Sequence, residues 1–304
     1  MNTFGISQGY FFMHLHDFSD YLRHNKRYSS HTVLAYENDL RQYGEFLSEN
    51  GLNESAEADH LIIRAWVVGL MENGLDSKSV NRKISSLRSF YKYLKRQGLV
   101  NHDPMQKISG PKTGRQLPTF IDEAGTQSLF SEVKAGDDFD SWRTYIILEL
   151  FYRTGMRLSE LIGISINDVD LPRLQLRVLG KRNKERIIPI SQGFAVILED
   201  YLKRRNELGT ENSNAFICLD KGGKCYPKFI YNKVHLALSG LATLEKKSPH
   251  ILRHTFATQM LNRGADLNSI KEILGHANLS ATQVYTHNTI DKLKRVHQQA
   301  HPRG

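Results

Sequence analysis

In TGMRLSEL, Arg157 follows a glycine turn at the start of a helix, where free backbone N–H groups and a guanidinium could together hold a phosphate. LGKRNKERIIPI puts Lys181 and Arg182 in a turn crowded with charge, beside Lys184, Glu185 and Arg186. In SPHILRHTFATQML, His250 and Arg253 are three apart on a helix that begins near Pro249, so they share one face at its N-terminal end. LGHANLSATQVYTH sets His276 nine residues before Tyr285 in a small, polar setting. Taken singly, each has a plain reading: a surface arginine, a solvated turn, a packing tyrosine. His254 reads as a satisfied core or interface histidine. A metal site is the competing chemistry, because His250 and His254 have i, i+4 spacing and His276 and His287 lie downstream. HILRH lacks the adjacent Glu of an HExxH helix, and nearby arginines repel a divalent cation, so no metal is expected.

The elements that must position these residues fall into two groups. At NHDPMQKISGPKTGRQLP, residues 101–118, glycines, prolines and polar residues interrupt all hydrophobic periodicity. This places a domain at 1–105, a linker at 106–118 and a second domain at 119–304. Before the break, SSHTVLAYENDLRQYGEFLSENG has a serine N-cap, apolar spacing through Val33, Leu34, Leu40, Phe46 and Leu47, and Gly51 as a stop. SVNRKISSLRSFYKYLKRQG repeats the logic through Val80, Ile84, Leu87, Tyr91 and Leu94, with its basic residues off the apolar stripe. With weaker segments near 11–25 and 59–73, this is a small all-helical bundle. The second domain is mixed α+β. DSWRTYIILELFYRTG reads as a buried helix closing on Gly155, MRLSELIGI starts another, and residues 174–190 form a β-hairpin. Helices follow at about 192–206, 227–243, 249–263, 266–275, 279–286 and 288–300. The fold class is therefore mainly α with a small β-hairpin.

A length of 304 residues suits two domains of about 150 each. No run of about 18 apolar residues offers a membrane span, and the opening lacks a secretory signal, so a cytoplasmic protein with no membrane partner is expected. Cys218 and Cys225 lie seven apart without CxxC spacing, which argues against disulfides or a thiolate zinc site. The net charge of +9 points to a polyanionic partner. Residues 111–304 contribute +8 of it, yet the near-neutral first part is polarised: Lys78, Arg82, Lys83, Arg88, Lys92, Lys95, Arg96 and Lys107 are accompanied by one acid, Asp103. One face there could track phosphates.

Arg157, Lys181, His250, Arg253, His276 and Tyr285 occur in that order, and their surrounding phrases resemble the tyrosine recombinase (phage integrase) family. TGMRLSEL is similar to its first arginine box, GKRNKER to its β-hairpin lysine, HILRHTFAT to its His-x-x-Arg box, and LGHANLSATQVYTH to its final histidine and nucleophilic tyrosine. The N-terminal phrases are similar to the core-binding domain of the bacterial XerC and XerD recombinases, as is the ending LKRVHQQAHPRG. Arg182 departs from the glycine that relatives often carry in the turn.

The resemblance implies a core-binding domain and a catalytic domain that clamp duplex DNA. Arg157, Arg253 and His276 would hold the non-bridging oxygens, and Tyr285 would attack phosphorus to give a 3′-phosphotyrosyl link. Lys181 would protonate the leaving 5′ oxygen, and His250 would assist proton transfer at the tyrosine. Neither metal nor ATP cofactor is then needed. Lys78, Arg82, Lys83, Arg88, Lys92 and Arg182 are the candidate DNA contacts. The resemblance further implies a tetramer on two sites, homomeric or with a second recombinase, each protomer lending about residues 288–300 to a neighbour. A Xer role implies chromosome dimer resolution with a septal DNA translocase. An integrase or invertase of a mobile element has the same six residues, a type IB topoisomerase shares the Arg, Lys and Tyr chemistry, and a silent DNA-binding module would need none of them. If the basic surface contacts several phosphates, log K for DNA falls by roughly 0.9 units per tenfold salt per contact, measured by titration across ionic strength. A flat dependence would contradict the clamp.

Overall fold

The computed structural model describes residues 13–52, 58–114, 120–133, 138–180, 184–210, 213–241, 244–275 and 296–303. They belong to two compact units, Met1–Gln116 and Leu117–Gly304.

The first unit is helical throughout its described residues: α1 (residues 13–20, continuing as a π-helical turn Tyr21–Asn25), α2 (Ser30–Glu49), α3 (His60–Glu72) and α4 (Ser77–Arg96). Each of the last three starts at a side-chain cap that satisfies an orphan N–H. Ser29 accepts from Thr32, Asp59 from Leu61 and Ile62, and Asp76 from Lys78 and Ser79. Val80, Ile84, Leu87, Tyr91 and Leu94 line the buried face of α4 as their spacing predicts, but the face is wider and takes in Phe90, Tyr93 and Ser86. Lys83 is on it too, only 5% exposed, so it does not lie off the apolar stripe. Its ammonium donates to Asp39 of α2 at 3.0 Å and to Gln42, while Ser86 donates to the same carboxylate at 2.8 Å and Arg82 pairs with it from outside. A buried carboxylate needs such partners, and a lysine is the residue that α4 supplies. Ile108 is also buried here and Pro111 accepts from Asn81 at 2.9 Å, so this part of the expected linker stretch packs on the unit.

The second unit is organised around α6 (Phe139–Thr154), whose residues Ile146–Thr154 are all buried. Around it run α5 (Glu123–Glu132), α7 (Leu158–Gly163), α8 (Gln192–Glu207), α9 (Pro227–Ala237), α10 (Pro249–Asn262) and α11 (Leu267–Leu274). Helix α6 packs against α8, α9 and α10. Helix α5, capped by Asp122, has no counterpart among the sequence expectations, and α9 ends at Ala237 in a short 3-10 turn rather than running to 243. The expected hairpin is β2 (Gln175–Leu179) paired antiparallel with β3 (Glu185–Pro189), with Leu176 opposite Ile188 and Val178 opposite Arg186. A two-residue strand β1 (Val169–Asp170) extends it to three strands in the order β1-β2-β3. The predicted helix at 279–286, and 288–300 up to residue 295, lie outside the described residues. No described helix is long and apolar enough to cross a membrane.

Residues 296–300 are helical and lie against the end of α6. His297 donates from Nε2 to the Arg153 carbonyl at 2.8 Å and His301 to the Tyr152 carbonyl at 3.1 Å, which satisfies two last-turn carbonyls of α6. The two rings stack with centroids 5.0 Å apart. Glu149, fully buried, takes Arg153 on one oxygen and Arg303 on the other.

Burial lowers the pKa of His297, and burial together with the adjacent His297 lowers that of His301 further. Both rings are therefore neutral when folded and bind protons more readily when unfolded. Stability is full above the ordinary histidine value of about 6.5 and is lost as pH falls below it. Thermal denaturation from about pH 7.5 to about pH 5.5 should show the loss, and His301→Gln should flatten it. An unchanged slope in His301→Gln would remove this ring as a source.

Candidate active site

The buried helix α6 stops at Gly155, which adopts a left-handed φ of +59° and closes the last turn. A side chain there would be strained and would put its first carbon 2.6 Å from Leu274 and Phe256. The close approach lets α10 and α11 pack against the turn. Arg157 follows as the residue before α7. Its backbone N–H is not free for a phosphate, as the sequence suggested: it donates to Glu160 Oε2 at 2.7 Å. The guanidinium donates from Nη1 to Glu160 Oε1 at 2.7 Å and from Nη2 to the Gly275 carbonyl at 3.0 Å, and the side chain remains 24% exposed.

Helix α10 begins with Pro249 in its first turn. Arg253, one turn further along, donates from Nη1 to the Gly155 carbonyl and from Nη2 to the Leu274 carbonyl at 2.7 Å. The structure thus brings Arg157 and Arg253 together on the C-terminal end of α11. Burial, and next the charge of Arg157, pull Arg253 down to about 10, so it is still protonated at neutral pH. His250 is exposed on the same helix, and loss of hydration about its ring, then His254, Arg253 and Arg157, lower its pKa. His254 is exposed, which removes the reading of a core histidine.

Two residues at the centre of this arrangement were not singled out from the sequence. Glu160 is 2% exposed and Arg186 4%. Arg186 Nη1 and Nη2 form a fork on the two Glu160 oxygens at 2.8 and 2.9 Å, and its Nε donates to the Ile273 carbonyl at 2.7 Å. Burial alone would raise the Glu160 carboxyl, but Arg186 and then Arg157 hold it down to about 2. The signals were present: Glu160 lies three residues after Arg157, and strand alternation puts Arg186 on the inward face with Ile188.

The last carbonyls of α11, on Ile273, Leu274 and Gly275, each accept from a different guanidinium: Arg186, Arg253 and Arg157. A helix C-terminus has orphan carbonyls and a partial negative charge, so cations cap it well. The three arginines are thereby fixed close together despite their mutual repulsion, with one carboxylate between them. Such a cluster is suited to a dianionic or developing phosphoryl charge.

Lys181, Arg182, His276 and Tyr285 lie outside the described residues, as does His287. The residues before two of them are placed. Gly275, left-handed with φ +65°, precedes His276 and rests against Arg186, and Gly180, which precedes Lys181, closes the hairpin by donating to the Lys184 carbonyl at 2.8 Å. In the first unit Lys78, Arg82 and Lys92 are exposed on α4, Arg88 is half-buried and donates to the Ile108 carbonyl at 3.0 Å, and Lys83 faces inward.

Residues 119–292 match the model of the phage integrase family, and residues 15–98 that of the phage integrase N-terminal SAM-like domain. The tyrosine recombinase XerC of Listeria innocua is 37% identical over 290 residues, covering 94% of this chain and 97% of that protein. That of Oceanobacillus iheyensis is 37% identical over 296 residues, covering 96% and 97%. Among solved structures, the XerH recombinase bound to a palindromic difH substrate superposes with a TM-score of 0.71 at 22% identity, over 92% of this chain and 82% of that one. The Tn1549 transposon integrase in complex with transposon right end DNA gives 0.71 at 17% identity, over 93% and 99%. These structural likenesses show the same fold. On the family matches and the relatives' identity, the chain belongs to the phage integrase family and within it is a Xer-like tyrosine recombinase.

Proposed function

We propose that this recombinase cuts one DNA strand by attack of the Tyr285 oxygen on the scissile phosphorus, while Arg157, Arg253 and His276 hold the non-bridging oxygens. The P–O bond to the 5′ oxygen breaks as the bond to tyrosine forms, leaving a 3′-phosphotyrosyl enzyme. Lys181 gives a proton to the departing oxygen. His250, its pKa lowered and its ring therefore neutral at pH 7, accepts the tyrosine proton. The 5′ hydroxyl of a partner strand reverses the step and completes the exchange, with no net loss of bond energy and no ATP.

The observation that carries this reading is the convergence of Arg157 and Arg253 on the final carbonyls of α11, directly before His276. Their forks suit the trigonal plane of a phosphoryl transition state in a way that a point-charge lysine does not. The partner is double-stranded DNA, engaged by the exposed Lys78, Arg82 and Lys92 of α4, by Arg88 and by the hairpin turn with Arg182. Lys83 is not among these contacts, since its ammonium is spent on Asp39. The XerH and Tn1549 relatives were solved with DNA, which supports this partner. The protein acts as a multimer, which we take to be a tetramer containing this chain alone or a second recombinase. We take the role to be the one the Xer resemblance implies, chromosome dimer resolution in the cytoplasm coupled to a septal translocase, rather than that of an integrase, invertase or topoisomerase; the similarity to proteins named XerC supports a Xer role.

A site carrying a nick that releases its short 5′ fragment prevents religation and traps the intermediate. Wild type should accumulate a covalent protein–DNA adduct in the presence of a metal chelator, and Tyr285→Phe none. Arg157→Ala and Arg253→Ala should each lower the adduct rate by about 100-fold or more. An adduct formed by Tyr285→Phe would remove this tyrosine from its role, and loss of activity in chelator would point to a metal-dependent nuclease.

A further inference from the structure

Arg186 has no assigned part in the reaction, yet its guanidinium ties together three of the elements that bear on the candidate site. It starts from β3, forks onto Glu160 of α7, and donates to the Ile273 carbonyl at the end of α11. It is also the wall against which both neighbouring glycines sit. A side-chain carbon built on Gly275 would lie 3.1 Å from Arg186 Nη1, and one on Gly180 would lie 3.7 Å from Arg186 and 3.6 Å from Glu160 Oε1. The residue before His276 and the residue before Lys181 are therefore referenced to one guanidinium.

Its charge matters as much as its position. Glu160 faces two guanidiniums, Arg157 and Arg186, and shares both oxygens between them. Two guanidiniums on one carboxylate leave the set with a net positive charge, and the partly exposed Arg157 is the member placed to present it to an incoming anion. Without Arg186, Glu160 would have Arg157 as its remaining fork, and the arginine meant for the phosphate would be neutralised where it stands. A lysine cannot span two carboxylate oxygens and a carbonyl at once.

We infer that Arg186 is a positioning residue for strand cleavage: by binding Glu160 and the end of α11 it keeps Glu160 from neutralising Arg157 in full and holds β3, α7 and the end of α11 in register. The inference rests on the reading of Arg157 as a phosphate ligand. In this role Arg186 acts through Arg157 and not on the substrate itself.

The test compares single-turnover adduct formation on two nicked sites, one with an ordinary scissile phosphodiester and one with a methylphosphonate, which carries no charge on its non-bridging atoms. For Arg186→Met the phosphodiester rate should fall by roughly 10- to 100-fold, as for other residues that orient an active-site ligand. The methylphosphonate rate, relative to wild type, should fall far less, because the neutral linkage depends less on free arginine charge. Adding Glu160→Gln to Arg186→Met should recover much of the phosphodiester rate. Arg186→Lys keeps a cation and supports folding where Met does not, and it should show the same preference in weaker form. DNA affinity should be unchanged in all of them. An equal loss on both linkages in Arg186→Lys, or no recovery in the double variant, would mean that Arg186 merely holds the fold and would overturn the inference. Arg157→Ala losing both linkages alike would instead overturn the underlying reading of Arg157, and the inference with it.

Discussion

A carboxylate removed from water among three guanidiniums sets the terms for the catalytic unit. Glu160 would be expensive to bury alone, and Arg186 would be equally so. Together they form a two-bond fork that neutralises both and fixes a strand to a helix separated from it by 26 residues. Arg157 keeps a bond to the same carboxylate and adds one to the Gly275 carbonyl, while Arg253 bonds to the carbonyls of Gly155 and Leu274, groups that are polar but carry no formal charge. Carbonyl partners satisfy guanidinium donors without cancelling the cation. This is how a folded protein can hold two or three positive charges side by side and keep them available, and it explains why the end of a helix rather than an acidic patch provides the seat.

That seat makes demands on the rest of the unit. Three segments must meet at one place: the turn after α6, the end of α11 and the inward face of β3. The turn can come close enough because Gly155 has no side chain, and α11 can end under Arg186 because Gly275 takes a left-handed φ. Helix α6 leads into this turn and is buried along its second half, so its end cannot drift. Its own last carbonyls are capped from the C-terminal segment by His297 and His301. The same requirement is met at both helix ends: carbonyls at helix termini are satisfied by side chains from distant elements, cations at α11 and neutral imidazoles at α6.

Much of this was legible in the chain. The N-cap at Ser29, the proline in the first turn of α10, the glycine stop at Gly155 and the alternation of LQLRVLG are local signals, and the elements appear where those signals stand. Arg157 and Arg253 were picked out by their phrases, and they meet in space. What escaped was set by partners far apart in sequence. Arg186 stands in a charged turn sequence that looks solvated, and its burial follows only when Glu160 and Ile273 arrive from other elements. Lys83 was assigned to an outer basic face because the apolar stripe was drawn through Val80, Ile84 and Leu87 without it, but Asp39 on α2 offers it a buried counterion. Helix α5 is short and weakly amphipathic, so its cap at Asp122 stood without a periodic run to confirm it. His254 was read as a core or interface histidine, and the helix turns it to the surface, which leaves out the core half of that reading.

The two units obey one rule. In the first, Asp39 draws the Lys83 ammonium inward and pairs also with the exposed Arg82. In the catalytic unit, Glu160 pairs with the buried Arg186 and also with the partly exposed Arg157. In each set one acid neutralises one of two cations: the inner cation belongs to the fold, and the outer one presents the charge that remains. Net charge counts both kinds alike and so overstates the number of phosphates the surface can neutralise. In the first unit electrostatic attraction is therefore shared among several exposed cations, Arg82 together with Lys78, Lys92, Lys95 and Lys107.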